Sequence, residues 1–244
     1  MPPRFFAPAL DAAAAEIDLP PDEAAHLTRV LRLGPGARVR VFDGRGGEWD
    51  AEVLRADKRG ATLGRLRAAS PAPELSRPVT LALAVLKGDG FDAAVRDATM
   101  LGASRLVPLV TARSEVPLAA LARPARAARW QRIAVASAKQ CGRAVVPTID
   151  PACAVDAFCG LPARGARIAL VEPAAVPEAC ALRQVKAPDG LELLIGPEGG
   201  WAAGELARFA ETGVTLVQLG RRTLRADAMP VIALSAWLAT SGEW

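Results

Sequence analysis

Leu191-Glu-Leu-Leu-Ile-Gly-Pro-Glu-Gly-Gly200 is a short, nearly apolar run that breaks directly into a glycine-rich loop, and helical spacing resumes over 202–211. A strand that turns through such a loop into a helix is the repeating unit of α/β folds. Downstream the pattern recurs: Val214 to Leu219 is apolar, Gly220-Arg-Arg-Thr-Leu-Arg225 is polar, and 226–240 returns to an apolar helical pattern. Upstream, strands are predicted at Val79–Leu86, Arg105–Val110 and Arg167–Val171, with helices at Phe91–Leu101 and Pro124–Cys141 between them. Strands separated by helices predict a mostly parallel sheet covered on both faces. In such a sheet, ligands bind beyond the carboxyl ends of the strands, which makes the loops after 195 and 219 the places to look for a site.

The first part of the chain reads differently. Apolar residues alternate with arginines over Arg38-Val-Arg-Val-Phe42, Asp43-Gly-Arg-Gly-Gly47 supplies turn residues, and alternation resumes over Glu48 to Leu54, predicting a β-hairpin. A third strand is expected at Ala61–Leu66, and a helix over Pro21–Leu31 with acidic residues in its first turn. The stretch from Ala69 to Pro78 concentrates prolines without an apolar period. We therefore expect a small β-rich domain over residues 1–70, a linker over 71–78 and an α/β domain over 79–244.

Composition narrows the function classes. With 51% hydrophobic residues in 244, the chain has enough apolar surface for proper cores, so disorder is excluded as the general state. A net charge of +4 permits a nucleic-acid partner without requiring one. Nearly all the positive charge is arginine, which a GC-rich coding sequence would also produce. The four cysteines show no C-x-x-C spacing and the single His26 is far from them, so no metal site is expected. Nothing at the start resembles a signal peptide, and no apolar run reaches the roughly 18 to 20 residues that span a bilayer. The expected setting is the cytoplasm, with free thiols and no membrane partner.

Two loops carry the candidate chemistry. Gly196-Pro-Glu-Gly-Gly200 offers unshielded backbone N–H groups in front of a helix, so a ligand can approach the main chain closely. It is not the G-x-G-x-x-G of a dinucleotide site, since Pro197 removes a donor and the spacing differs. A tight strand-to-helix turn explains the same glycines. The arginines Arg221, Arg222 and Arg225 suit phosphates or a developing negative charge, while pairing to acids such as Asp227 would leave them purely structural. Lys87, in a turn after a strand, is a weaker phosphate candidate. Gln140-Cys-Gly-Arg143 reads as a helix end capped by glycine, with Arg143 free to face RNA. A Cys141–His26 nucleophile is rejected, because no histidine lies near the cysteine in sequence.

Taken in order, His26-Leu-Thr-Arg-Val-Leu-Arg-Leu-Gly-Pro-Gly36, Phe42-Asp-Gly44, Leu86-Lys-Gly-Asp89, Leu101-Gly-Ala-Ser-Arg-Leu-Val-Pro-Leu109, Trp130-Gln-Arg-Ile133, Lys139-Gln-Cys-Gly-Arg143 with Val146-Pro147, and the two loops resemble the RsmE family of 16S ribosomal RNA (uracil-N3)-methyltransferases, within the SPOUT superfamily. The resemblance spans nearly the whole chain. It implies an N-terminal PUA-like β-barrel and a C-terminal SPOUT α/β domain with a trefoil knot, a homodimer built through the knotted domains, S-adenosyl-L-methionine as cofactor, and 16S ribosomal RNA within the 30S subunit as substrate. Carried over by position, the cofactor would meet Leu170, Val171, Glu172, Ile195, Gly196, Gly199, Gly200, Leu219, Gly220 and Leu224. Arg225 would sit at the reacting base, stabilising the uracil anion, with deprotonation left to Glu198, Asp227 or solvent. RNA would meet Arg29, Arg32, Lys87, Arg143 and Arg222, with Arg38 and Arg40 also able to track phosphates. The chain departs from the family pattern at Met100, where an acidic residue is usual, and at Asp227-Ala-Met-Pro230, with Pro230 expected in the first turn of the last helix. The rival readings are a SPOUT methyltransferase for another RNA position and a catalytically silent RNA-binding homologue.

Overall fold

The computed structural model describes residues 2–86, 88–121 and 123–244. The chain falls into two compact units, Met1–Glu74 with Val135–Val146, and Leu75–Ala134 with Pro147–Trp244.

The first unit is a five-stranded mixed sheet. Its elements are β1 (Arg4–Phe6), β2 (Glu16–Asp18), α1 (Pro21–Ala25), β3 (Arg38–Phe42), β4 (Glu48–Asp57) and β5 (Gly60–Ala68), with sheet order β1-β3-β4-β5-β2. The hairpin of β3 and β4 pairs Val41 with Trp49, and Asp43 Oδ1 closes its turn by accepting from the amides of Arg45 and Gly47 at 2.7 and 3.0 Å. Val39, Val41 and Val53 point inward with Phe5, Leu27 and Leu63 to make the core, as period-two alternation requires. The helix expected over Pro21–Leu31 is shorter. After α1 it widens into one π turn over His26–Val30, in which the Leu31 amide reaches back five residues to the His26 carbonyl at 3.0 Å, and Arg32 then leaves with φ +52.

The linker expectation needs correcting. The Ala72 amide donates to Gly142 O at 3.0 Å and Glu74 pairs with Arg143, while in the second unit the amide of Ser76 donates to Glu243 and Arg77 pairs with the same carboxylate. Lacking an apolar period, this segment is held by polar bonds instead, a tie that periodicity cannot reveal.

The second unit consists of β6 (Val79–Ala84), α2 (Gly90–Met100), β7 (Arg105–Val110), α3 (Leu118–Leu121), α4 (Pro124–Cys141, whose last turns belong to the first unit), β8 (Thr148–Ile149), β9 (Cys153–Ala154), α5 (Val155–Cys159), β10 (Ala166–Leu170), β11 (Cys180–Ala181), β12 (Leu191–Ile195), α6 (Ala203–Glu211), β13 (Thr215–Gln218) and α7 (Met229–Ser241). Its sheet runs β11-β13-β10-β12-β6-β7-β8, with β9 also on β7, and every pair is parallel. Two late strands insert between earlier ones, β12 between β10 and β6, and β13 between β11 and β10. β6 and β12 are buried along their whole length, as expected of strands covered on both faces. Because all strands run one way, the loops after β7, β10, β12 and β13 share one edge of the sheet.

The last helix begins at Met229 rather than Ala226. Starting at 226 would place Pro230 where its missing N–H would cost the bond to the Ala226 carbonyl; instead Pro230 occupies the first turn, and Gly242 closes the helix with φ +77. Among the described residues no helix is long and apolar enough to cross a membrane, and no cluster of His, Cys, Asp and Glu could hold a metal ion. All four cysteines are free thiols.

Candidate functional site

Three strand-end loops enclose a cavity of about 440 Å³. From the end of β10 come Leu170, Val171 and Glu172; from the loop after β12 come Ile195, Gly196, Glu198, Gly199 and Gly200; from the loop after β13 come Leu219, Arg222, Leu224, Arg225 and Asp227. That volume lies in the range of small-molecule sites.

The glycine loop is shaped by what stands behind it. The Trp201 ring is buried, its Nε1–H donates to the Leu170 carbonyl at 2.8 Å, and it packs edge-on against Phe209 with ring centroids 4.9 Å apart. This ties the ends of β10 and β12 together across neighbouring strands. A Cβ on Gly196 would lie 3.0 Å from the Trp201 ring, and Gly200 holds φ +67. Both positions therefore exclude a side chain, one for space and one for conformation, and leave bare backbone facing the cavity. Glu205, almost fully buried, fixes the exit of the loop by accepting from the Ala202 amide at 2.7 Å and the Ala112 amide at 2.8 Å. Gly196→Val should therefore displace Trp201 and abolish measurable cofactor binding by calorimetry, while hydrogen exchange of the β6 amides stays protected. Binding within twofold of the parent would remove the cradle role.

Arg225 is highly exposed and grips Asp227 side-on, Nε to Oδ1 at 3.1 Å and Nη2 to Oδ2 at 2.7 Å. The hydrogen bond, and then the charge of Asp227, raise the Arg225 pKa further above its usual range; Glu198 adds to the rise through its charge. In return the Arg225 bond holds the Asp227 carboxyl below the ordinary carboxylate range. The pairing left open by the sequence is thus real, yet it occupies one edge of the guanidinium and leaves Nη1 available to a ligand.

Other candidates scatter. Gly220 is not part of the cavity wall; with φ +125 it turns the chain after Leu219. Arg29 and Arg32 are exposed in the first unit, as is Arg38, whereas Arg40 pairs with Asp50 at 2.9 Å. Arg143 does not face solvent: its side chain is buried and chelates Glu74, with Nε to both carboxylate oxygens at 3.0 Å and Nη2 to Oε2 at 2.5 Å. A buried arginine with a carboxylate partner is not an RNA contact, and the expectation for Arg143 is withdrawn. Lys87 lies outside the described residues.

Sequence reasoning missed Arg113, Trp201, Pro173 and Met229 in the lining. Arg113 belongs to Thr111-Ala-Arg-Ser114, the loop directly after β7. The same strand-end rule that singled out the other loops would have found it.

Comparison with known proteins agrees with this geometry. Residues 73–238 match the family described as RNA methyltransferase domain, and residues 19–64 the RNA methyltransferase PUA domain. The ribosomal RNA small subunit methyltransferase E of Synechocystis sp. is 34% identical over 238 residues, covering 91% of this chain and 72% of that protein. The protein of the same name from Mycobacterium tuberculosis is 28% identical, covering 98% and 92%. Among solved structures, a ribosomal RNA small subunit methyltransferase E from Neisseria gonorrhoeae bound to S-adenosyl methionine superposes with a TM-score of 0.88 at 29% identity, covering 98% of each chain. A putative methyltransferase from Legionella pneumophila with bound cofactor SAM gives 0.86 at 26% identity, again covering 98% of each.

Proposed function

We propose that this chain, which belongs to the ribosomal RNA small subunit methyltransferase E family, transfers the methyl group of S-adenosylmethionine to N3 of a uridine in 16S ribosomal RNA. The observation that carries the reading is the cavity itself: a backbone-lined cradle that a Cβ at Gly196 would fill, opening beside the one exposed arginine that keeps a guanidinium edge free. An adenosyl group fits such a wall, with apolar Leu170, Ile195, Leu219 and Leu224 against a ring and the main chain of 196–200 for its polar edge. Bound there, the cofactor supplies an electrophilic methyl carbon.

The protein's own residues must handle the proton and the charge. Uridine N3 carries a proton and is a poor nucleophile until that proton leaves; the imide anion then spreads its charge onto the two flanking carbonyl oxygens. Arg225 Nη1 is placed to donate to one of these oxygens, and its charge is permanent, so it stabilises the anion without competing for the proton. Proton acceptance falls to Glu198 rather than Asp227, because the Arg225 bond that lowers the Asp227 pKa also makes that carboxylate the weaker base.

Further features support the wider reading. The insertion of β12 and β13 between earlier strands is the order a trefoil-knotted SPOUT domain requires, and the sheet of the first unit is read as a PUA-like barrel whose Arg29 and Arg32 meet RNA phosphates. α7 is apolar around its circumference and leaves Val231 and Ile232 more than a third exposed, the face through which a homodimer would form. The working setting would be the cytoplasm, on the 30S subunit. The test is to map N3-methyluridine in ribosomal RNA from a strain lacking this gene, with and without complementation. One modified position that vanishes and returns is expected; an unchanged map overturns the proposal.

A further inference from the structure

The cavity has two charged poles. At one, Arg225 and Asp227 are bound to each other, and Glu198 is close enough to act on the Arg225 charge. At the other, around Gly200, stand Arg113 and Glu172, which belong to different loops, after β7 and after β10. The point where a Cβ of Gly200 would lie is 3.7 Å from Glu172 Oε1 and 3.9 Å from Arg113 Nη1. A cation and an anion thus stand around one open point, and the positive φ of Gly200 keeps it clear of a side chain.

Arg113 is held for this position. Its Nη1 donates to the Gly199 carbonyl at 2.5 Å, and its stem lies along Gly199, where an added Cβ would come within 3.3 Å of Cδ. The Gly199 bond takes one of five guanidinium donors and leaves the others to a carboxylate. Glu172 lines the same space, with its carboxylate reaching toward Gly200 and its own carbonyl accepting the amides of Ala175 and Val176, which fixes the turn it sits on.

We infer that Arg113 and Glu172 form a subsite for an α-amino-acid zwitterion, Arg113 taking the carboxylate and Glu172 the ammonium, so that the amino-acid tail of the cofactor is read at the pole opposite Arg225. This rests on the reading of the cavity as an adenosyl-sulfonium site and adds which end of that molecule lies where. An amino acid carries both charges on a single carbon, so one open point flanked by opposite charges matches it, whereas a phosphate or a plain cation would leave one of the two side chains facing a like charge.

The experiment compares three ligands on the full chain by calorimetry: S-adenosylhomocysteine, its decarboxylated analogue S-adenosyl-3-thiopropylamine, and 5′-methylthioadenosine, which lacks the amino acid altogether. The parent protein should bind S-adenosylhomocysteine about 10- to 100-fold more tightly than methylthioadenosine. Arg113→Met should remove most of the advantage of S-adenosylhomocysteine over the decarboxylated analogue. Glu172→Gln should weaken both amine-bearing ligands, and neither change should move methylthioadenosine by more than about twofold. Equal losses for all three ligands would show that the side chains only shape the loop, and unchanged S-adenosylhomocysteine binding in both variants would show that they do not touch the tail; either overturns the subsite. If the parent binds none of the three, the adenosyl reading itself fails and the subsite with it.

Discussion

An Arg225→Ala enzyme is expected to lose turnover by about 100- to 1000-fold while its affinity for S-adenosylhomocysteine stays near that of the parent, the size of loss that follows removal of one donor to a developing oxyanion. The split arises because Arg225 lies at the rim of the cavity, with its side chain 85% exposed and bound only to Asp227, so it supports little of the cradle that holds the adenosyl group. Lysine should restore only part of the rate, since a point charge cannot hold Asp227 side-on and donate forward at the same time. Asp227→Asn should cost less than Arg225→Ala, because the guanidinium keeps its charge and loses only its orientation. The sign of the pH effect follows from the lowered Asp227 pKa: the pair is intact above that value and is lost only as the pH falls through it, so orientation of Arg225 persists from neutral well into acid. Any acid limb in the rate near neutrality would then belong to the proton acceptor, and Glu198→Gln should remove it. Single-turnover methylation of 16S ribosomal RNA checks all four, and near-parent turnover by Arg225→Ala would take Arg225 out of the chemistry.

The parallel sheet was legible because its central strands are short apolar runs bounded by turn residues, and the two loops were legible because glycine and arginine stand out where such runs stop. What was not legible depends on residues far apart in sequence. β8, β9 and β11 have two residues each and show no period at all. Arg113 carries no glycine neighbour, so its loop looked ordinary until the strand order brought it beside Gly199. Arg143 misled for the opposite reason: the Gly142 turn was readable, with φ +89, but its partner Glu74 sat in a proline-rich stretch that periodicity assigns to a linker. The π turn at His26–Val30 likewise follows a normal helical pattern, and nothing in the spacing announces the wider turn.

The same limit of local reading sets the largest stability effect. Arg4 stands in a three-residue strand that alternation could not identify, yet its side chain is 3% exposed and its Nε meets the fully buried Glu48 at 2.6 Å. Its Nη1 also donates to the carbonyls of Ala138 and Lys139, at 2.6 and 3.0 Å, and its Nη2 to that of Arg143, at 2.9 Å, so one guanidinium satisfies both the end of α4 and a buried carboxylate. Glu48 Oε2 has no hydrogen-bond partner and only Arg40 Nη1 nearby, at 3.6 Å. Replacing Arg4 by methionine keeps the apolar stem and strands the Glu48 charge, which should destabilise the first unit by about 3 to 5 kcal/mol. The variant should also acquire an inverted pH response. With its counter-ion gone, the folded Glu48 carboxyl would titrate above its unfolded value, so the folded state binds the extra proton and stability rises as the pH is lowered toward that unfolded value. Pairing the change with Glu48→Leu should recover part of the loss and abolish the pH response, because no buried charge remains. Hydrogen exchange of β3 and β4 amides at two pH values reads the first unit on its own. A loss under about 1 kcal/mol in Arg4→Met would mean that water reaches Glu48 and that the pair is not the buried one its geometry describes.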